Sequence, residues 1–498
     1  MNLDRNWVPM KWPCGPLEIA RRNKAGTVSA DLRETLQEWA RPSALELLKS
    51  TPVNCLIVEW AGGGPEDSAQ QQALRPLLEA GRGMGISFVA KIAPEGDAGV
   101  CAAAARAAGL SAAMIENAPG LSCELPVIRQ FSRDKAAWET ASTIFSATEN
   151  VWPGLNLQTL NGDTALAGPT GVPWVNSNAW VSLLAGELAT GKTLRLDFDP
   201  PAASNALHPA AYALAVADSC AYGSQWIISL DDKLRASLPN GKSQAQDAWK
   251  KLCEAVAFFQ SHKEWQGFRS QGILAIISDF RGDNAYMSGE VLNLLNRRQV
   301  QFRIIERAEP LRVLGGLKAV LWLDPAKPSL EQRARLLAFV RQGGLLIAAD
   351  SWGAPGAVPT KNDPSLRYRL YTVGKGQIAV AEEVFQDPYQ VAADTHLLVS
   401  RRNDLVRLYN PETTNCHSSG EPVSPDNGKR LVQVLNYSSA PANYVTLWVN
   451  DRVESARFWQ FEAAEAGRLE GRPASPGTEF DLPPLWVYCA LEFEGKSL

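Results

Sequence analysis

Short apolar runs alternate with amphipathic stretches over the first half of this chain. Runs at 7–12, 54–60, 86–92, 111–116, 126–131, 142–148, 193–198 and 225–230 are nearly continuous in apolar residues, as strands covered on both faces of a parallel sheet are. Between most of them lie stretches with helical spacing, at 30–49, 67–81, 98–108, 208–221 and 243–260. Eight strands with intervening helices predict an α/β fold, a (β/α)8 TIM barrel over residues 1–265. A long Gly/Pro-rich interruption follows the sixth strand, from Trp152 to Asn178. In a barrel, loops at that end of a strand form the mouth.

From residue 271 a second α/β pattern begins. Apolar runs at 273–279, 302–305, 319–323 and 344–350 alternate with helical stretches at 288–297 and 329–342. They predict a small doubly wound α/β domain over 266–362. Beyond it the helical signal gives way to period-two segments such as 430–437 and 444–449, separated by turn clusters such as Ser424-Pro425-Asp426-Asn427-Gly428. Residues 363–498 therefore read as a β-sandwich domain.

Composition narrows the function. A length of 498 residues exceeds one hydrophobic core, in keeping with three domains. A net charge of −4 argues against a nucleic-acid surface. No run approaches the ~18 apolar residues of a membrane span. The start, Met1 to Trp7, lacks a basic-then-apolar leader, so the reading favours the cytoplasm unless a leader was removed. Eight dispersed cysteines suggest free thiols, not a disulfide framework. Sixteen tryptophans are many, and a flat apolar ring with a polar edge suits sugar faces.

The distribution of acids carries the chemistry. Five barrel runs end in carboxylates: Glu59, Glu116, Glu149, Asp197 with Asp199, and Asp231 with Asp232. Barrel strands all point their C-terminal ends at one mouth, so acids distant in sequence converge there. Glycoside hydrolysis needs two such groups, one to protonate the leaving oxygen and one to attack or to activate water. Glu116 with Glu149 or Asp197 are the catalytic candidates. Glu59, Lys91, Arg129, Gln130, Asn150, Asn176, Asn178 and Asp231 are candidates to hydrogen-bond sugar hydroxyls, and Trp60, Trp152, Trp174 and Trp180 to stack on rings. The structural alternatives are a helix cap at Asp231, a turn at Asp199 before Pro200-Pro201, and ion pairs of the glutamates with Lys91, Arg129 or Arg195.

Competing chemistries find little support. Residues Gly186 to Thr193 fit a phosphate-loop expression, but the predicted order is helix then strand, the reverse of what that loop requires. A Gly-x-Ser-x-Gly elbow and a His-Glu-x-x-His motif are absent, and the four histidines are scattered. No metal and no organic cofactor is implied.

Residues 272–281, 319–324 and 337–352 resemble the middle domain of family 42 glycoside hydrolases, the bacterial β-galactosidases, and Gly374 to Val380 resembles the glycine-led strand found soon after that domain. The resemblance implies a barrel, an amidotransferase-like trimerisation domain and a small β domain. It also implies a carbohydrate substrate and a homo-oligomer formed through the middle domain. The family's acids fall on the fourth and seventh strands, at Glu116 and near Asp197. Its fourth-strand Asn-Glu pair is replaced here by Glu116-Asn117. The middle domain has no cysteine between Cys253 and Cys416, which excludes a Cys-dependent amidotransferase. The expected function is hydrolysis of an oligosaccharide or glycoconjugate. The alternatives are a degenerate barrel that binds carbohydrate without cleaving it, and an oligomeric scaffold.

Overall fold

The computed structural model describes residues 5–93, 97–116, 123–132, 142–148, 150–160, 163–166, 174–201, 207–309, 311, 314–353, 361–363, 367–411, 413–421, 428–461, 463 and 465–493. The chain forms two compact units. One comprises Met1–Gly154, Asn176–Asn178 and Ala189–Lys263, the other Leu155–Val175, Ala179–Leu188 and Glu264–Leu498.

The first unit is a (β/α)8 barrel. Its strands are β1 (Pro9–Lys11), β2 (Cys55–Ala61), β3 (Ser87–Ile92), β4 (Ala112–Glu116), β5 (Val127–Ser132), β6 (Ile144–Thr148), β7 (Thr193–Leu196) and β8 (Gln225–Trp226). They pair in that order, each parallel to the next. A parallel bridge between Met10 and Ile228 returns the last strand to the first, with Lys11 N–H donating to Ile228 C=O at 2.8 Å and Ile228 N–H to Pro9 C=O at 2.9 Å. Strands β7 and β8 are shorter than the apolar runs suggest: the regular ladders end at Leu196 and Trp226, beyond which single backbone bonds such as Asp197 N–H to Ala147 C=O (3.0 Å) and Ile227 N–H to Leu196 C=O (3.0 Å) continue the pairing.

Register decides which side chains fill the barrel. Residues paired across parallel strands lie on one face, and along each strand that face recurs every second residue. Trp7, Cys55, Ile57, Val89, Ala112, Met114, Ile128, Ile144 and Ile227 form one buried apolar cluster. Two residues further along the same strands, the inner face turns polar. Glu59 pairs with Lys91, and Lys91 with Met114. Glu116 pairs with Gln130, Gln130 with Ser146, and Ser146 with Arg195. The lumen is thus an apolar plug beneath a charged upper layer at the strands' C-terminal ends.

The turns out of β1 and β8 are tied down by buried polar contacts. Gly15 has φ +81°, and a Cβ there would fall 2.5 Å from the Gln70 amide oxygen. That side chain donates to Cys14 C=O (3.1 Å) and Glu59 C=O (2.9 Å) and accepts from Leu17 N–H (3.0 Å). Glu18 is fully buried and accepts from Arg21 and Arg22, at 2.7 to 2.9 Å. Arg22 also reaches Asp232 at 2.7 Å, and the buried Arg235 pairs with Asp232 too. Burial opposes ionisation of Glu18, but its two arginines prevail and hold the carboxyl below its usual range. A group depressed in the folded state stabilises above its unfolded pKa and loses that contribution as pH falls through the folded value. The gap in urea midpoint between the wild type and Glu18→Gln is therefore expected to be constant near neutrality and to shrink below about pH 4. A gap independent of pH down to the acid transition would contradict this.

In the second unit, β9 (Leu274–Ser278), β10 (Phe302–Glu306), β11 (Ala319–Trp322), β12 (Leu345–Ala348), β13 (Lys361–Asp363), β14 (Tyr368–Val373) and β15 (Gly376–Ala381) form one sheet. Its order is β10-β9-β11-β12-β15-β14-β13, with five parallel strands followed by two antiparallel ones. The parallel part has the 2-1-3-4-5 order of a doubly wound sheet. The region runs past residue 362: β14 and β15 complete the sheet, and helix Pro388–Val399 packs on helix Ala285–Arg297.

Two further antiparallel sheets share one apolar core. Val406, Leu447, Val449 and Phe480 come from one, and Val432, Val434, Phe458 and Leu491 from the other. The edge strand Arg269–Ser270 belongs here, paired with Ser419 and Gly420. The chain therefore enters this β region before it builds the α/β sheet, which a boundary at 265/266 misses. The interruption after β6 holds strands Gly154–Leu160, Asp163–Leu166 and Trp174–Asn176 in a small sheet of their own. Helix Ala179–Leu188 is followed by Gly191 at φ +78° and then by β7, an order with no phosphate-loop geometry.

Candidate active site

At the C-terminal ends of the barrel strands, ionised side chains from several strands meet. Asp197 follows β7 and lies on the inner face two residues after Arg195. Its Oδ2 accepts from Gln130 Nε2 at 2.6 Å, and its Oδ1 is in contact with the Lys11 ammonium. Lys11 Nζ also donates to Asp199 Oδ1 at 2.9 Å, and that oxygen accepts from Ser229 Oγ at 2.8 Å. Strands one, five, seven and eight thus supply one hydrogen-bonded group. Lys91 Nζ pairs with Glu59 Oε1 at 3.1 Å, from strands three and two. Glu116 ends strand four, half-buried, beside Gln130 in register.

Charge balance follows from the packing. Burial opposes the Lys11 ammonium, but Asp197 and Asp199 hold its pKa above the usual lysine range. Glu59 does the same for Lys91, against burial. Partial desolvation by its neighbours raises the Asp199 carboxyl, yet Lys11 and the Ser229 hydroxyl outweigh it and keep the group well below the ordinary carboxylate range. The Asp197 side chain is 3% exposed and that of Asp199 66%. The inner contact therefore governs orientation in a low dielectric, while the outer is screened by water.

The remaining predicted residues divide. Asn150 is buried and donates to Ala147 C=O at 2.6 Å. Asn178 brackets Val151, accepting from its N–H (3.0 Å) and donating to its C=O (2.9 Å), and also donates to Asp218. The Asn178 amide is taken up by Val151 and Asp218, while Asn150 Oδ1 is buried with no hydrogen-bond partner among the described residues. Asp231 caps helix Asp232–Ser237, accepting from Lys233 and Leu234 N–H, and takes the Tyr212 hydroxyl as well. The capping alternative describes it. Trp60 is 2% exposed at a β-bulge between Glu59 and Ala61, packed in the interior. Arg129 lies on the face of Ile115 and Phe145, opposite to that of Gln130. Trp152 packs edge-on against Tyr212 and Trp226. Trp174 and Trp180 belong to the second unit, where Trp174 lies under the Arg297 guanidinium at 3.7 Å and Trp180 packs on Gly289. Asn176 ends the strand Trp174–Asn176. Glu149 lies outside the described residues.

Lys11 and Ser229 were not among the residues singled out from sequence. Lys11 could have been: it ends an apolar strand at the same level as the acids, where a cation is the natural counter-charge. Among the described residues there is no cluster of three or more His, Cys, Asp or Glu arranged to hold a metal, and no helix is long and apolar enough to cross a membrane.

The fold is that of a TIM barrel followed by α/β and β regions. It is similar over its full length to α-L-fucosidase isoenzyme 2 from Paenibacillus thiaminolyticus, with a TM-score of 0.57 and 11% identity, covering 99% of this chain and 100% of that one. Looser matches are the exo-β-1,4-mannosidase Op5Man5 from Opitutaceae bacterium strain TAV5 (TM-score 0.47, 12% identity, 79% of this chain and 96% of that one) and β-galactosidase from Bacillus circulans sp. alkalophilus (0.42, 12%, 93% and 83%). At this identity the likeness to the fucosidase is one of fold. No protein-family model matches the chain, nor does any curated protein sequence.

Proposed function

We propose that this protein is a glycoside hydrolase whose barrel mouth cleaves an oligosaccharide or glycoconjugate, with Asp197 and Glu116 as its carboxylate pair. The observation that carries this reading is the inner-face charged layer, in which Asp197 is fixed by donors from strands one and five. Glu116, on the neighbouring strand to Gln130, is suited to the acid role, since a proton donor must keep an oxygen open to the leaving group. Asp197, held in place by Gln130 and Lys11, is suited to the role of nucleophile or base, which needs a fixed carboxylate. The fold shared with a fucosidase supports the class of substrate.

The test is a panel of aryl glycosides, including fucosides, galactosides and mannosides, assayed with the wild type and Glu116→Gln. The expected result is turnover of at least one glycoside, lowered by about 10²- to 10⁴-fold in the variant, and less for substrates with an activated leaving group. Unchanged turnover by Glu116→Gln removes Glu116 from the pair. We further read the amidotransferase-like α/β region as an assembly surface, supported by the exposed Tyr286 and Leu397 on its two packed helices. Sedimentation showing only monomer would count against that reading.

A further inference from the structure

We propose that Lys11 is a positioning residue for Asp197, and that Asp199 is its reserve counter-ion during the reaction. The inference rests on the glycosidase reading and adds to it a division of labour between the two aspartates.

Lys11 contacts both carboxylates at once, Asp197 inside and Asp199 outside, and its side chain is only 17% exposed. Either form of glycoside hydrolysis neutralises Asp197. As nucleophile, an Asp197 oxygen bonds the anomeric carbon while the bond to the leaving oxygen breaks and that oxygen takes the Glu116 proton. As base, Asp197 takes a proton from the water whose oxygen bonds the anomeric carbon, and the Glu116 proton again goes to the leaving oxygen. In both cases the carboxylate that faced Lys11 loses its charge. An ammonium with that single partner would be left largely buried and uncompensated, and such a state is costly. Asp199 removes this penalty. It already accepts from Lys11 at 2.9 Å and is itself held by Ser229 at 2.8 Å, so the ammonium keeps an anionic partner with little movement. Before the step, Lys11 and Gln130 together fix the Asp197 plane. Lys91, itself paired with Glu59, repels the ammonium and also acts on both aspartates, so Asp197 and Asp199 are the anions that hold Lys11.

The test compares the wild type with Lys11→Met, Lys11→Arg and Asp199→Asn, using the full chain and the aryl glycoside that the wild type hydrolyses fastest. Lys11→Met is expected to lower kcat by about 100-fold, with KM within about threefold, because the loss is of orientation and not of binding. Lys11→Arg is expected to recover most of that loss, since it restores a cation able to bridge two carboxylates. Asp199→Asn is expected to lower kcat by about tenfold, again with KM preserved. Asp199 is two-thirds exposed, so its variant folds even if Lys11→Met does not. Wild-type kcat in Asp199→Asn, or losses confined to KM, overturns the proposal. Absence of turnover by the wild type on every glycoside overturns the glycosidase reading first, and is seen before any variant is compared.

Discussion

Replacing Asp197 by asparagine is expected to lower kcat on any hydrolysed glycoside by about 10³-fold or more, equivalent to about 4 kcal/mol of barrier. The amide matches the carboxylate in shape but carries no charge to attack carbon or to take a proton. It also presents an N–H to a pocket that already holds two donors, Gln130 Nε2 and Lys11 Nζ. One of those contacts must be lost, which costs about 1–2 kcal/mol of stability in a buried setting. The measurement is steady-state kinetics beside a thermal melt followed by tryptophan fluorescence. A folded Asp197→Asn protein with activity within threefold of the wild type would sink the seventh-strand assignment.

The largest loss of stability is expected from Asp218→Ala, about 3–5 kcal/mol. Asp218 is fully buried in helix Pro209–Ala221. It accepts from the Ser177 hydroxyl (2.6 Å), from Asn178 N–H (2.8 Å) and from the Asn178 side-chain amide (3.1 Å). Asn178 in turn brackets Val151, so one carboxylate fastens the chain on both sides of the excursion after β6. Alanine leaves several buried donors unanswered, whereas Asp218→Asn keeps the shape and one acceptor and is expected to lose about half as much. Urea unfolding read by the barrel's transition checks this. A shift below 1 kcal/mol for alanine would show that water replaces the carboxylate at no cost.

The barrel was legible because its strands are covered on both faces, and such strands appear as unbroken apolar runs. The ends of those runs marked Glu59, Glu116, Gln130 and Asp197, since a parallel barrel gathers strand ends whatever the loops do. Adjacent residues were harder to sort. Arg129 and Gln130 both looked polar at a strand end, yet only one side of a pleated strand faces the lumen, and register gives that side to Gln130. The tryptophans misled for a related reason. Trp60 and Trp180 fill interior space, and composition cannot separate a ring that packs from one that receives a ligand. Asp231 had the sequence context of a cap and is one. Lys11 carries no signal beyond its place at a strand end, because the two acids it makes tolerable lie far along the chain, Asp199 by 188 residues, and meet it only in the fold. The end of the α/β region was misread because β14 and β15 have the alternation of β-sandwich strands, although they pair onto the parallel sheet.

The placement of Arg269–Ser270 has a bearing on biosynthesis. This short edge leaves the ribosome early, but its partner Thr414–Gly420 follows only after the entire α/β region has been made. Domains emerging first can fold first, so the barrel and the parallel sheet have the opportunity to mature while the β region waits for its last segments.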